Sequence, residues 1–141
     1  MKIHGQCHCG QISLTAWVEP ADVVVCHCTD CQTFSGAPYR ASVRVAQELV
    51  TITGKATEYV KTAESGHQRV QGFCGTCGTN LYTTAWRDRS VMGLRLGCIA
   101  ERAALTPQVQ VWRRSAMPWV NQLDGIECHI EGPSSPVQNK Q

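Results

Sequence analysis

No run of lysine and arginine marks this chain, no apolar stretch approaches membrane-spanning length, and helical periodicity is scarce. Each lack excludes something. With 13 basic against 11 acidic residues the net charge is only +2, and no basic stripe forms, so a nucleic-acid partner is not expected. Arg113 and Arg114 read as solvated surface. The longest apolar runs are far short of the roughly 20 residues a bilayer requires, so no membrane association is expected. Met1-Lys2-Ile3-His4 leads to Cys7 without the apolar core of a secretory leader, which makes a cytoplasmic protein the expectation. There is no internal repeat and no linker. The 141 residues, 43% of them hydrophobic, suit one domain with a real core. That domain is expected over residues 1–130, with a flexible polar tail over 131–141 (EGPSSPVQNKQ).

What is present is short alternating segments. In QISLTAWV (11–18), Ile12, Leu14, Ala16 and Val18 alternate with mostly polar neighbours, the period of a half-buried strand. A β-branched run, ADVVV, enters the second cysteine cluster. Further strands are expected over 39–45, 49–53, 57–62, 67–73, 79–86 and 90–97, separated by Gly and polar turns. Their close spacing predicts a mainly β, antiparallel protein with little helix. Thr29 or Asp30 is placed to cap a short helix over CQTFS, stopped by Gly36 and Pro38, and IAERAAL (99–105) allows one more turn.

Cysteine is abundant instead. In a reducing compartment nine thiols point to metal or catalysis before disulfides. Cys74-x-x-Cys77-Gly78 has the spacing of a zinc knuckle. Cys7 and Cys9, at i and i+2, would share a face if the segment is a strand. These four make a closed tetrahedral site that contributes folding free energy. Cys26, Cys28 and Cys31 remain, and three ligands with an open fourth position is the pattern of a catalytic zinc. Closure of that second cluster by His27, His8, Asp30, Cys98 or Cys128 is the competing arrangement, and would make both sites structural. A redox Cys-x-x-Cys would call for an α/β pattern that is missing. Cys98 and Cys128 read as small residues without a ligand role. A thiolate-rich site favours another sulfur, so thiol-adduct chemistry is expected over hydrolysis.

The order CHCG (7–10), CHCTDCQTFSGAPY (26–39), GFCGTCGTNLY (72–82) and VWRRSAMPW (111–119) resembles the glutathione-dependent formaldehyde-activating family, which includes the centromere protein V domain. The resemblance spans about residues 3 to 120. It implies a β-tent of antiparallel sheets with two zinc ions as cofactors: Cys7, Cys9, Cys74 and Cys77 on the structural one, and Cys26, Cys28 and Cys31 on the catalytic one. It implies a carbon–sulfur lyase whose partners are a small thiol such as glutathione and a small aldehyde, joined as S-(hydroxymethyl)glutathione. A non-catalytic zinc-stabilised binding module is the alternative from another class. Arg40, Arg44 and Lys61 are candidates for the carboxylates of such a thiol, beside the plainer reading of each as an exposed strand residue. Phe34, Ser35 and Gly36 either line the pocket or form a turn with one core phenylalanine. Trp86, Trp112 and Trp119 are expected in the core.

Overall fold

Alternation carries through to the architecture. The computed structural model describes residues 1–138; the last three residues of the polar tail, 139–141, lie outside them. The described residues form ten strands and one α-helix: β1 Lys2–Gln6, β2 Ser13–Trp17, β3 Val23–Cys26, α1 Thr29–Ser35, β4 Arg40–Ala46, β5 Val50–Thr53, β6 Thr57–Thr62, β7 Gln68–Phe73, β8 Asn80–Ala85, β9 Val91–Arg95 and β10 Val109–Val111. The fold is mainly β, as the spacing predicts, and Arg102–Ala104 supplies the single helical turn expected before Pro107. Among the described residues no helix is long and apolar enough to cross a membrane.

Two sheets form. A three-stranded sheet runs β1-β2-β5, and a seven-stranded sheet runs β10-β3-β4-β9-β8-β7-β6. Every pairing is antiparallel except β10 with β3, which is parallel. That exception was not legible as a strand: Val109–Val111 is three residues long and reaches β3 only after a long connection. Leu14 and Ala16 from the small sheet meet Val43, Leu94 and Leu81 from the large one, with Ile3, Ile12 and Ile99 closing an apolar core.

Because successive strand residues point to opposite faces, burying Val43, Val70, Met92 and Leu94 sends their neighbours to the other side of the large sheet. Cys26 stands opposite Arg40, Ser42 opposite Arg95, Gln71 opposite Thr83, and Arg69 opposite Lys61. This second face is therefore polar and charged, and α1 sits over it. Cys28, not Thr29 or Asp30, is the helix N-cap, its sulfur accepting the Cys31 N–H at 3.3 Å. Gly36 ends the helix at φ 62°, a conformation its missing Cβ permits. Ser35 and Gly36 thus terminate the helix, and Phe34 packs against Tyr59 with ring centroids 6.0 Å apart. The tryptophans expected in the core are not there: Trp86, Trp112 and Trp119 are all exposed.

Gly72 marks the one register irregularity of β7, between Gly72 and Phe73. The ring of Tyr82 lies over it, so that a Cβ at Gly72 would stand 2.3 Å from Tyr82 Cζ. Tyr82 in turn donates to Glu58 Oε1 at 2.8 Å, and Arg89 clamps the same carboxylate. The close approach fixes Tyr82 and, through Glu58, joins β6 to β8. Gly72→Ala is expected to destabilise the protein by about 1–3 kcal/mol through overpacking, read from the urea midpoint; an unchanged midpoint would contradict this packing.

Candidate metal centres and the adjoining cavity

Two turns bring the first cysteine group together. Cys7 and Cys9 lie in the turn between β1 and β2, not in a strand, where Gly10 (φ 82°) donates its N–H to Cys7 O. Cys74 and Cys77 lie in the turn between β7 and β8, closed by Gly78 (φ 78°) with its N–H on Cys74 O. The two turns face each other: His8 N–H donates to Thr79 Oγ1 at 3.0 Å and Thr76 Oγ1 to Gln11 Oε1 at 2.9 Å. Cys7 Sγ is 3.6 Å from Cys9 Sγ, and Cys9 Sγ is 3.7 Å from Cys74 Sγ, 65 residues away. Sulfurs on one tetrahedral zinc, with bonds of about 2.3 Å, stand roughly 3.8 Å apart. The four sulfurs, all within 4.8 Å of one another, therefore fit a metal ion of that size. The Thr79 hydroxyl and then the backbone N–H groups of Thr79 and Cys9 pull the Cys77 thiol down to about 5, while Cys9 is pushed up to about 12 by burial and its sulfur neighbours, against the Gln11 N–H. Such a split marks four sulfurs close enough to share protons.

The second group, Cys26, Cys28 and Cys31, also lies within 4.8 Å, sulfur to sulfur. Cys26 ends β3, Cys28 caps α1 and Cys31 is the buried residue of its first turn. Hydrogen bonding from Cys26 first, then the Arg40 guanidinium, hold the Cys31 thiol down at about 5 against burial; Cys26 is raised correspondingly. Three soft donors of which one already favours the thiolate suit a thiophilic divalent ion.

None of the closing groups weighed from the sequence joins this trio. His27 is buried, but its Nε2 pairs with Gln110 Oε1 at 2.8 Å and its ring meets Tyr39 edge-on at 5.4 Å. His8 is exposed. Asp30 forms an ion pair with Lys61. Cys98 is buried beneath Arg95 O, and Cys128 is exposed. Among the described residues, the trio has no fourth His, Cys, Asp or Glu donor.

The trio opens instead onto a cavity of about 620 Å³. Its floor is the charged face of the large sheet, with Arg69, Gln71 and Arg95, and its walls are the Glu64–Ser65 turn and Trp112. Trp112 adopts φ 58°, uncommon for a bulky residue. Arg114 lies over its ring at 5.0 Å and pairs with Glu64 of the wall. Gln32 fastens the wall to α1, its Nε2 donating to His27 O at 2.8 Å and to Ser115 O at 2.9 Å.

The three basic residues singled out from the sequence have other partners. Arg44 is exposed and pairs with Asp22. Lys61 lines the cavity but is held by Asp30. Arg40 is buried at 7% exposure, not a surface strand residue, and points a guanidinium N–H at Cys31 Sγ, 3.3 Å away. Sequence reasoning missed Arg69, Gln71 and Arg95. The alternation of HQRVQGF (67–73) was the available signal, since burying Val70 turns Arg69 and Gln71 to the opposite face.

The family model described as glutathione-dependent formaldehyde-activating enzyme matches residues 2–115, the span holding both cysteine groups. A crystal structure of a Rhodobacter sphaeroides protein is similar in fold, with a TM-score of 0.58 and 17% identity, covering 78% of this chain and 99% of that one. No curated protein sequence matches the chain.

If the facing turns share an ion, removing one sulfur unties them. Cys74→Ser is expected to lower bound metal by about one equivalent and the melting temperature by on the order of 10 °C, since the ion's binding free energy is folding free energy. A soluble Cys74→Ser protein with unchanged metal content and melting would contradict the link.

Proposed function

The chain belongs to the glutathione-dependent formaldehyde-activating enzyme family, and on that premise we propose that it is a zinc-dependent carbon–sulfur lyase acting on a small thiol adduct, of which S-(hydroxymethyl)glutathione is the type. The observation that carries this reading is the three-cysteine cluster standing open on a cation-lined cavity of about 620 Å³. In this reading Cys7, Cys9, Cys74 and Cys77 hold a structural zinc, and Cys26, Cys28 and Cys31 hold a catalytic one. When bound there, zinc supplies an open coordination position that takes a thiol as thiolate at neutral pH.

The chain's own groups do the rest. In the synthetic direction the thiol sulfur bonds to the aldehyde carbon, the carbonyl π pair moves to oxygen, and the thiol proton ends on that oxygen; lysis is the reverse. Nothing is oxidised or reduced. The chain's task is to orient two small molecules in one cavity, and positioning of this kind is a large part of such a rate gain. Cys31, held by Arg40, and Cys28, held by the start of α1, keep the cluster facing the cavity. Trp112 and Glu64 contribute to the wall of that cavity.

Arg69 is the group suited to a substrate carboxylate. It lines the cavity half-buried and stands opposite Lys61 in the β6–β7 register, an unfavourable pairing of like charges. Asp30 offsets Lys61, whereas Arg69 has no carboxylate partner among the described residues. An anionic thiol such as glutathione relieves that repulsion.

The test is exchange NMR on formaldehyde, glutathione and their adduct. The metal-loaded protein is expected to accelerate exchange over the uncatalysed rate. Cys28→Ser, which keeps an oxygen to cap α1 but removes a thiolate, is expected to abolish the acceleration and leave the fold intact. No acceleration by protein with both sites full would overturn the lyase reading and favour a binding module. Within that reading, Arg69→Met is expected to raise KM for the thiol about tenfold or more with kcat nearly unchanged, the loss of one charge-assisted hydrogen bond in the ground and transition states alike.

A further inference from the structure

We propose that Arg40 is a positioning residue for the three-cysteine cluster, with Arg95 behind it as a second counter-charge: it fixes Cys31 Sγ and withdraws negative charge from the sulfurs, so that an ion held there stays electrophilic toward the cavity. The inference rests on the metal reading of that cluster.

Four observations carry it. First, Arg40 and Arg95 are each only 7% exposed, yet neither pairs with a carboxylate among the described residues. Arg40 donates from Nη1 to Gln71 Oε1 at 3.0 Å and to Asn80 Oδ1 at 3.5 Å. Arg95 donates to Ser42 Oγ at 2.7 Å and to the same Gln71 Oε1 at 3.1 Å. All these acceptors are neutral, and the Nε of each arginine has no partner. A buried charge is tolerated when it is paired, and the group that can carry the opposite charge here is the cysteine cluster, which Arg40 touches at Cys31 Sγ, 3.3 Å from Nη2.

Second, the register leaves Arg40 little freedom. It stands directly opposite Cys26 in the β3–β4 pair, so one backbone ladder fixes both the sulfur-bearing strand and the guanidinium that serves the cluster. Third, Phe34 covers the guanidinium at 5.3 Å to its ring centroid, which keeps water from competing for those N–H groups. Fourth, Lys61, another cation lining the same cavity, is already neutralised by Asp30, and Arg40 is the cation hydrogen-bonded to a sulfur of the trio.

The physical consequence concerns the charge of the loaded site. Three thiolates around a divalent cation sum to one net negative charge, which weakens the ion as a Lewis acid. The N–H⁺···S bond from Arg40 pulls electron density back along the sulfur and brings the local sum to zero, and the buried charge of Arg95 behind it reinforces that pull. A planar fork is needed to reach Gln71, Asn80 and Cys31 at once; an ammonium supplies charge without that fixed geometry.

Cobalt(II) substitution reads this directly. Hydrogen bonding and positive charge stabilise sulfur lone pairs, so removing them moves thiolate-to-cobalt charge-transfer bands to longer wavelength. The bands of the three-cysteine site are the difference between the wild-type spectrum and that of Cys28→Ser, which retains the four-cysteine site. Those bands are expected to shift to longer wavelength in the order Arg40→Lys, Arg40→Gln, Arg40→Met, with the four-cysteine bands unmoved and no substrate present. Arg40→Lys and Arg40→Gln keep the measurement available if Arg40→Met does not fold. Bands that stay in place in whichever variants fold, whatever happens to melting temperature, make Arg40 a merely structural residue and overturn the role while leaving the lyase reading intact. Failure of cobalt to give any thiolate band from Cys26, Cys28 and Cys31 overturns the metal reading and this inference with it.

Discussion

A strand can hide one side of itself only by presenting the other. In the seven-stranded sheet the hidden side is packed against the small sheet with valine, leucine and methionine, so the opposite side had to be filled with something else. Here it is filled with guanidinium, ammonium and amide groups, and covered in part by one short helix. The cavity, its cation-rich floor and the placing of Cys26 beside Arg40 all follow from that period of two. The cluster does not sit in a loop appended to a scaffold; its sulfurs come from a strand end and the helix that follows it.

The two cysteine groups differ in how they are built. The group of four joins two turns, neither with much structure of its own, and an ion there would substitute for the core that small turns cannot make. The group of three is held by elements already in place: a strand, a helix start and a buried arginine. The first arrangement suits an ion that supports the fold, the second an ion that the fold supports.

Much of this was legible in the sequence. Alternation in segments such as QISLTAWV located strands, and the cysteine spacings located both groups, because a ligand pair two or three residues apart is a local signal. Other features were not local. Cys7 and Cys9 looked like neighbours on one strand face, but Gly10 bends the chain there and delivers both sulfurs from a turn. Arg40 and Arg44 look alike in the sequence, four residues apart on one strand. One meets Cys31 and Gln71 in the interior and the other Asp22 in solvent, because only the start of β4 runs beneath α1. The tryptophans read as core residues in the sequence, and nothing in VWRR indicates that Trp112 adopts a left-handed backbone and becomes a cavity wall.

The cap of α1 ties two equilibria together. Cys28 Sγ accepts the N–H of Cys31, one of the unpaired amides of the first turn, and it is also one of the three sulfurs of the open cluster. A sulfur shared in this way accepts the N–H more strongly as thiolate than as thiol. An ion drawn to the cluster would therefore tighten the first turn of a seven-residue helix too short to persist alone. Farther along that helix Gln32 anchors the wall through Ser115 and Phe34 shields Arg40. An ion at Cys28 would in this way steady the same short helix that carries part of the chamber's lining.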